Sequence, residues 1–268
     1  MAPSARQVEH LRASVTIDDR SQQLSYFDRP GEGRAILYTH GLGCSSADFL
    51  GLTEEPQLDS FRLVSYDHPG CGDSPYESTT PANIDFLVRV LEAFVNRLGL
   101  TRFLLVGGSM GGLIGLLFAE RHPEVLTGFV NLEGNLAPED CMFSRRVVDH
   151  TFAHFERVIF PEIKNSLASR QEIVGFVRHL AVLERCNARA YYDHSFQTVD
   201  YSYNGNLLER FARLPIPKYF VYGSENRELS YLPVLRRLGC RVVEIPSADH
   251  FLFYDNPRAL AGLLAEVP

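Results

Sequence analysis

The chain has 268 residues, of which 45% are hydrophobic and 22% charged, and its formal net charge is −7. This length can bury a large core, and α/β folds of this size often form one domain. The mildly acidic balance argues against nucleic acid or an anionic membrane as the main partner. The N-terminus has no apolar stretch of signal-peptide length, and no segment approaches about eighteen continuous apolar residues, so we expect a cytoplasmic protein.

The five cysteines are widely spaced and contain no C-x-x-C pair. An odd number with this spacing fits reduced thiols better than a disulfide framework or a zinc site. His150 and His154 have i, i+4 spacing, but neither an H-E-x-x-H motif nor a set of acidic ligands accompanies them. We therefore predict no metal and no other cofactor.

Strand-like and helix-like patterns alternate along the chain, which is typical of a mainly parallel sheet covered by helices on both faces. An N-terminal pair of segments, 13–17 and 23–27, resembles antiparallel edge strands. Core strands are predicted at 34–39 and 62–66. Thr80 and Pro81 then supply an N-cap and a first-turn proline for an amphipathic helix that continues to Leu98.

The second half continues the alternation until one segment interrupts it. The predicted elements are strands at 103–106, 126–132, 218–222 and 241–245, a helix over 113–121 and a terminal helix from about Pro257. Between Pro138 and Leu214 the sequence predicts helix after helix, with no convincing strand. We therefore predict a core domain, residues 1–137 and 215–268, and a helical cap insertion, residues 138–214, that would bury an apolar substrate.

A serine motif stands between the apolar run at 103–106 and the predicted helix that follows. The residues are Gly107-Gly108-Ser109-Met110-Gly111-Gly112, a G-x-S-x-G motif at a strand-to-helix turn. The glycines remove Cβ atoms that would clash in so tight a turn, and the turn exposes the serine hydroxyl. A phosphate-binding loop is the alternative, but the spacing matches neither G-x-G-x-x-G nor G-x-x-x-x-G-K-[ST]. Ser109 is therefore the candidate nucleophile.

With the serine turn, the order of elements and the helical insertion, the chain resembles the α/β-hydrolase superfamily over nearly all of its length. His40-Gly41-Leu42-Gly43 looks like the H-G-x-G oxyanion loop of that family, and residues 66–74 (YDHPGCGDS) look like its D-x-x-G-x-G-x-S turn. Residues 247–251 follow the last strand and look like the loop of the catalytic histidine. The resemblance implies His250 as the base. It also implies an oxyanion hole made by the backbone N–H groups of Leu42 and Met110.

The acid of the triad departs from the usual pattern. Many family members place it three residues after the glycine that ends the penultimate strand, where this chain has Asn226. An amide cannot supply the negative charge that stabilises imidazolium, and Glu225 is one residue away. Glu133 directly follows the strand before the cap, where some haloalkane dehalogenases and the resorcylic-lactone hydrolases keep their acid. Because a glutamate after an apolar strand is costly to leave unpaired, we favour Glu133 over Glu225.

The resemblance implies a reaction class, which Ser109 narrows. Haloalkane dehalogenases and related epoxide hydrolases attack with an aspartate at this position, so their reaction does not transfer to this chain. We predict a serine hydrolase that cleaves an ester or lactone with an apolar body through an acyl-enzyme. A thioesterase, a carbon–carbon bond hydrolase and a proline-releasing aminopeptidase remain alternatives, as does a small-molecule receptor with little turnover. We expect a small apolar ester-like substrate and neither a nucleic-acid nor a membrane partner; the sequence leaves the oligomeric state open.

Overall fold

The computed structural model describes residues 7–77 and 82–268, and its centre is an eight-stranded sheet. The strand order across the sheet is β1-β2-β4-β3-β5-β6-β7-β8. The strands are β1 (Glu9–Ile17), β2 (Arg20–Arg29), β3 (Ala35–Thr39), β4 (Arg62–Tyr66), β5 (Phe103–Gly108), β6 (Leu126–Leu132), β7 (Lys218–Gly223) and β8 (Arg241–Ile245). From β4 to β8 every neighbouring pair is parallel, so the predicted mainly parallel sheet is confirmed.

The two N-terminal strands form the antiparallel edge that the sequence predicts, and both are longer than predicted. β1 pairs with β2, and β2 pairs with β4, in antiparallel register. Asp18 and Asp19 connect them with φ values of 49° and 61°. Two consecutive left-handed residues make the tight hairpin turn whose twist matches that of the flanking strands.

Helices lie in the connections between the parallel strands, as such crossovers require, and two more α-helices follow β8. The connection from β3 to β4 holds only 3-10 helices, at Ser46–Glu54 and Pro56–Leu58. The α-helices are α1 (Ile84–Leu98), α2 (Met110–Arg121), α3 (Phe152–His154), α4 (Phe160–Ala168), α5 (Val174–Leu183), α6 (Ala188–Asn204), α7 (Leu207–Arg213), α8 (Leu232–Arg237), α9 (Leu252–Asp255) and α10 (Pro257–Glu266). Asn83 caps α1 by accepting a hydrogen bond from the Phe86 N–H at 2.9 Å. The predicted start of this helix, Thr80 and Pro81, lies outside the described residues.

Two clusters of buried apolar side chains pack on the two faces of the sheet. In β5, Phe103 and Leu105 belong to one cluster, whereas Leu104 and Val106 belong to the other. Successive side chains of a strand point to opposite faces, so a strand buried on both sides reads as a continuous apolar run. This explains why β5 shows no polar alternation in the sequence.

The elements between β6 and β7 are all helical, and residues 138–214 contain no strand, as predicted. This segment holds α3 to α7, together with a π-helical turn at Phe155–Ile159. The Asn187 N–H donates to the Gly70 carbonyl at 2.8 Å, which ties the segment to the loop after β4. A Cβ atom on Gly43 would lie 2.6 Å from Leu183 and 2.8 Å from Tyr191. The segment therefore packs on the loops that follow β3 and β4, at the carboxyl edge of the sheet.

All five cysteines are free and buried, and the Cys71 and Cys186 sulfur atoms are 3.8 Å apart. A search of the described helices finds none with the length and apolar character needed to cross a bilayer.

Candidate active site

Ser109 stands at the sharp turn between β5 and α2, where the sequence predicts it. Its backbone has φ 52° and ψ −126°, a conformation that L-residues rarely adopt. Two hydrogen bonds hold the turn: the Ser109 N–H donates to Leu132 at 3.0 Å, and the Gly112 N–H donates to Ser109 at 2.8 Å. A Cβ atom on Gly107 would lie 2.4 Å from the Gly111 carbonyl oxygen. The turn thus requires glycine beside the serine, and strain of this kind costs about 1–3 kcal/mol.

The loop after β3 lies directly against this turn. A Cβ atom on Gly41 would lie 3.0 Å from the Cβ of Ser109, so only a glycine lets the two loops approach so closely. Leu42 and Met110 border the same cavity as Ser109. Among the described residues, no group accepts a hydrogen bond from the backbone N–H of either residue. Two free donors beside a serine hydroxyl are able to stabilise a developing oxyanion.

His40 holds the shape of this loop. Its Nδ1 lies 2.9 Å from the Gly41 carbonyl oxygen, and its Nε2 accepts a hydrogen bond from the His68 N–H at 2.9 Å. Burial lowers the pKa of His40 to about 4, against the nearby charge of Asp67, which raises it. The ring is therefore neutral near pH 7, and both of its nitrogens are occupied.

Glu133 and His250 meet at the carboxyl edge of the sheet. Nδ1 of His250 lies 2.9 Å from Oε2 of Glu133, and their side chains are only 11% and 6% exposed. The other carboxylate oxygen accepts a hydrogen bond from the Gly223 N–H at 2.7 Å. A carboxylate can only accept, so the proton of a neutral His250 lies on Nδ1. Nε2 is then the ring nitrogen that can receive a proton.

Glu225 and Asn226, the two residues after β7 considered for the acid, differ in exposure and in contacts. Glu225 is exposed, and its carboxylate accepts a hydrogen bond from the Ser224 hydroxyl at 3.3 Å. Asn226 instead points at Glu133, with its amide nitrogen 3.0 Å and 3.1 Å from the two carboxylate oxygens. The same nitrogen lies 3.1 Å from Oδ1 of Asp249. In the sequence Asn226 is only the place where an acid is missing, and no local pattern predicts these contacts.

Opposing effects set the pKa of His250. Burial lowers the pKa, but the hydrogen bond and the charge of Glu133 raise it, and Asp249 and Asp140 add to the rise. The net pKa lies above the ordinary 6.5. A base in this position therefore becomes neutral, and able to take a proton, at a higher pH than an ordinary histidine.

A small cavity connects the serine turn to the histidine. It measures about 20 Å³, which is room for a single water molecule. Within residues 7–77 and 82–268, no hydrogen bond joins Ser109 to His250, although both side chains border this cavity. Catalytic hydrogen bonds are often long before substrate binds. A larger surface depression beside Tyr76 and Phe86 contains none of the predicted site residues.

Two titratable residues of the helical segment also border the cavity, the buried His179 and the half-buried Asp140, and neither is predicted from the sequence. His179 on α5 has Nδ1 3.5 Å from the Cys44 sulfur, and its ring stacks on Phe251 with centroids 4.7 Å apart. Burial, and to a smaller extent the charge of His250, lower the pKa of His179 to about 3. Burial raises the pKa of Asp140 to about 6, although its hydrogen bonds to Leu136 and other donors oppose the rise. No local sequence pattern distinguishes these residues from others in the segment.

Comparisons with known proteins agree with this architecture. A family model described as alpha/beta hydrolase fold matches residues 34–159. A putative carbamate hydrolase RutD from Agrobacterium fabrum is 38% identical over 99 residues, which span 37% of this chain and 38% of that protein. The match thus spans well under two thirds of that relative. Monoacylglycerol lipase abhd6-B from Xenopus laevis is 23% identical over 262 residues, covering 89% of this chain and 76% of that protein.

A solved structure extends the match to the whole fold. A thermophilic esterase from Thermogutta terrifontis superimposes with a TM-score of 0.75 and 19% identity, covering 96% of this chain and 97% of that one. At this identity the likeness concerns the fold alone. Together with the sheet order and the family model matched over residues 34–159, it shows that the chain has the α/β-hydrolase fold.

Proposed function

We propose that the protein is a serine hydrolase that cleaves an ester or lactone of a small apolar molecule. The observation that carries the proposal is the 2.9 Å contact between His250 Nδ1 and Glu133, beside a cavity that Ser109 also borders. Nucleophile, base and acid follow one another in the chain order typical of the superfamily. The strained turn at Ser109 and the free N–H groups of Leu42 and Met110 also support it.

The proposed reaction proceeds in two steps. Nε2 of His250 takes the hydroxyl proton as Ser109 attacks the carbonyl carbon, and Glu133 stabilises the imidazolium that results. The N–H groups of Leu42 and Met110 hold the negative oxygen of the tetrahedral intermediate. The alcohol leaves with the proton from His250, and an acyl group remains on Ser109. Water, activated by the same histidine, then releases the acid.

Residues 138–214 form the cap of the proposed enzyme, and residues 1–137 and 215–268 form its core domain. The segment supplies Met142 and Phe143 to the cavity, while the core supplies Leu42, Met110 and Phe251. This apolar lining suits the hydrocarbon part of an ester. Since the cavity is about 20 Å³, we infer that cap side chains or cap helices move when substrate enters.

The classes of protein are distinguished by pre-steady-state kinetics with a p-nitrophenyl ester. An acyl-enzyme mechanism gives a burst of p-nitrophenol equivalent to the concentration of sites whenever deacylation is slower than acylation. A ligand-binding receptor gives saturable binding of the ester without turnover. Parallel assays with a thioester and a proline p-nitroanilide distinguish the thioesterase and aminopeptidase alternatives.

The proposed cap predicts a preference for longer acyl chains. We expect kcat/KM for p-nitrophenyl octanoate to exceed that for the acetate by roughly 10-fold or more, because each buried methylene contributes about 0.8 kcal/mol that can be realised in the transition state. Steady-state kinetics with acetate, butyrate, hexanoate and octanoate esters measure the trend. A flat or inverted series would indicate an open site and contradict the proposed role of the cap.

The raised pKa of His250 predicts how activity depends on pH. Only neutral His250 accepts the serine proton, so we expect kcat/KM to fall as the pH decreases through a pKa above the ordinary 6.5. In Glu133→Gln the charge that raises the pKa is gone and burial dominates, so the acid limb of the residual activity should move to lower pH. Profiles of kcat/KM against pH for both proteins measure this shift. If the acid limb of the Glu133→Gln profile stays at the wild-type pH, Glu133 does not set the pKa of the catalytic base.

A further inference from the structure

Asn226 connects two carboxylates that would otherwise repel each other. It is half-buried, and its single amide nitrogen lies 3.0 Å and 3.1 Å from the oxygens of Glu133. The same nitrogen lies 3.1 Å from Oδ1 of Asp249. An amide nitrogen has two N–H donors, so one can serve each carboxylate.

Both carboxylates hold His250, and they do so from two sides. Glu133 accepts from the ring at Nδ1, at 2.9 Å, whereas Asp249 accepts from the backbone N–H of His250 at 2.8 Å. The Glu133 side chain is 6% exposed, so solvent screens its charge only weakly. Two like charges this close need donors between them. The Gly223 N–H serves only the Glu133 side.

We propose that Asn226 is a positioning residue, whose amide bridges Glu133 and Asp249 and thereby fixes the Glu133 carboxylate on His250. The inference rests on the proposed function and assigns a role to the position where many family members keep the acid. A carboxylate at position 226 is harmful while Glu133 is charged, because three acceptor-only groups would then face one another without the bridging donors.

The test is a cycle of four proteins: the wild type, Asn226→Asp, Glu133→Gln and the double variant. We expect N226D to lower kcat on the order of 10-fold to 100-fold in the wild-type background, through repulsion and a misplaced Glu133. In the E133Q background the same change should raise kcat by roughly 10-fold, because the new carboxylate supplies the charge that Glu133 has lost. The expected sign of the N226D effect thus reverses between the two backgrounds.

The pH dependence of stability gives a readout that does not require activity. Among the described residues, Asn226 contacts the titratable groups Glu133 and Asp249, and both of these contact His250. The titratable groups that interact with this cluster in turn are Tyr231, Asp140 and Asp255. Repulsion raises the pKa of a carboxylate placed there, so its cost appears above that pKa and is relieved as the pH falls. Urea unfolding should therefore show N226D more destabilised at pH 8 than at pH 5. Adding E133Q should reduce the difference.

A matched control uses the neighbouring carboxylate. Glu225→Gln removes a charge one residue away that does not touch the bridge, so its effects should simply add to those of N226D. Additive N226D and E133Q effects in both readouts would overturn the role of Asn226, while a large loss from E133Q would still support the proposed function. A third outcome is that the two substitutions are non-additive in unfolding free energy but E133Q keeps the wild-type kcat. That outcome would overturn both proposals, because the histidine that Glu133 contacts would then not be catalytic.

Discussion

Replacement of Ser109 by alanine is expected to lower kcat by on the order of 10³-fold or more and to leave the fold intact. The hydroxyl borders the cavity and is the proposed nucleophile, so its loss removes the acyl-enzyme route. Alanine at φ 52° suffers the same backbone strain as serine, so stability should hardly change. Steady-state kinetics, circular dichroism and thermal unfolding measure the two effects separately.

A second serine of the same cavity provides the matched control. Ser144 is 3% exposed and borders the cavity from the helical segment, but it stands at no strand-to-helix turn. Ser144→Ala should cost far less than Ser109→Ala, because it removes at most one contact at the cavity wall. An S109A enzyme that turned over at the wild-type rate would exclude Ser109 from the mechanism.

Replacement of Glu133 by glutamine should lower kcat by roughly two to four orders of magnitude. Glutamine keeps the shape but removes the charge that stabilises imidazolium. Its amide also offers a donor to Nδ1, which favours the wrong imidazole tautomer. Glu225→Gln should cost little, because that side chain is exposed and its carboxylate accepts from the Ser224 hydroxyl rather than from His250. The comparison requires kcat for both variants at a pH where His250 is neutral.

The ranking of the two glutamates decides between two positions for the acid. A larger loss from Glu225→Gln than from Glu133→Gln would move the acid to the loop after β7, where many family members keep it. Comparable large losses from both would mean that the two carboxylates act together, in which case the contacts of Asn226 would need another explanation.

The fold is largely predictable because its signals are local. β5 reads as a continuous apolar run, and the glycines around Ser109 indicate a tight turn that other residues would obstruct. Element ends are less predictable. β1 begins at Glu9, before the predicted 13–17, because pairing with β2 extends a strand whose outer residues are exposed. The N-cap Asn83 was not predicted, since the Thr80-Pro81 pair offered a stronger signal.

The candidate site is predictable where a residue lies in the loop that follows a strand. Ser109, Glu133 and His250 each stand after a predicted strand, and the carboxyl ends of parallel strands meet at one edge of the sheet. The contact of Asn226 with Glu133 and Asp249 joins three separate loops, so no sequence spacing encodes it. His179 reaches the cavity because of how α5 packs on Phe251, which depends on tertiary contacts.

Covalent labelling with a serine-directed reagent tests directly whether Ser109 is the nucleophile. The protein is treated with a fluorophosphonate, the remaining esterase activity is followed, and the modified residue is located by peptide mass spectrometry. We expect one adduct per chain, on Ser109, and a loss of activity in proportion to labelling. We expect no adduct in Ser109→Ala. Full activity of protein labelled at Ser109, or loss of activity with the adduct on another residue, would contradict this role of Ser109.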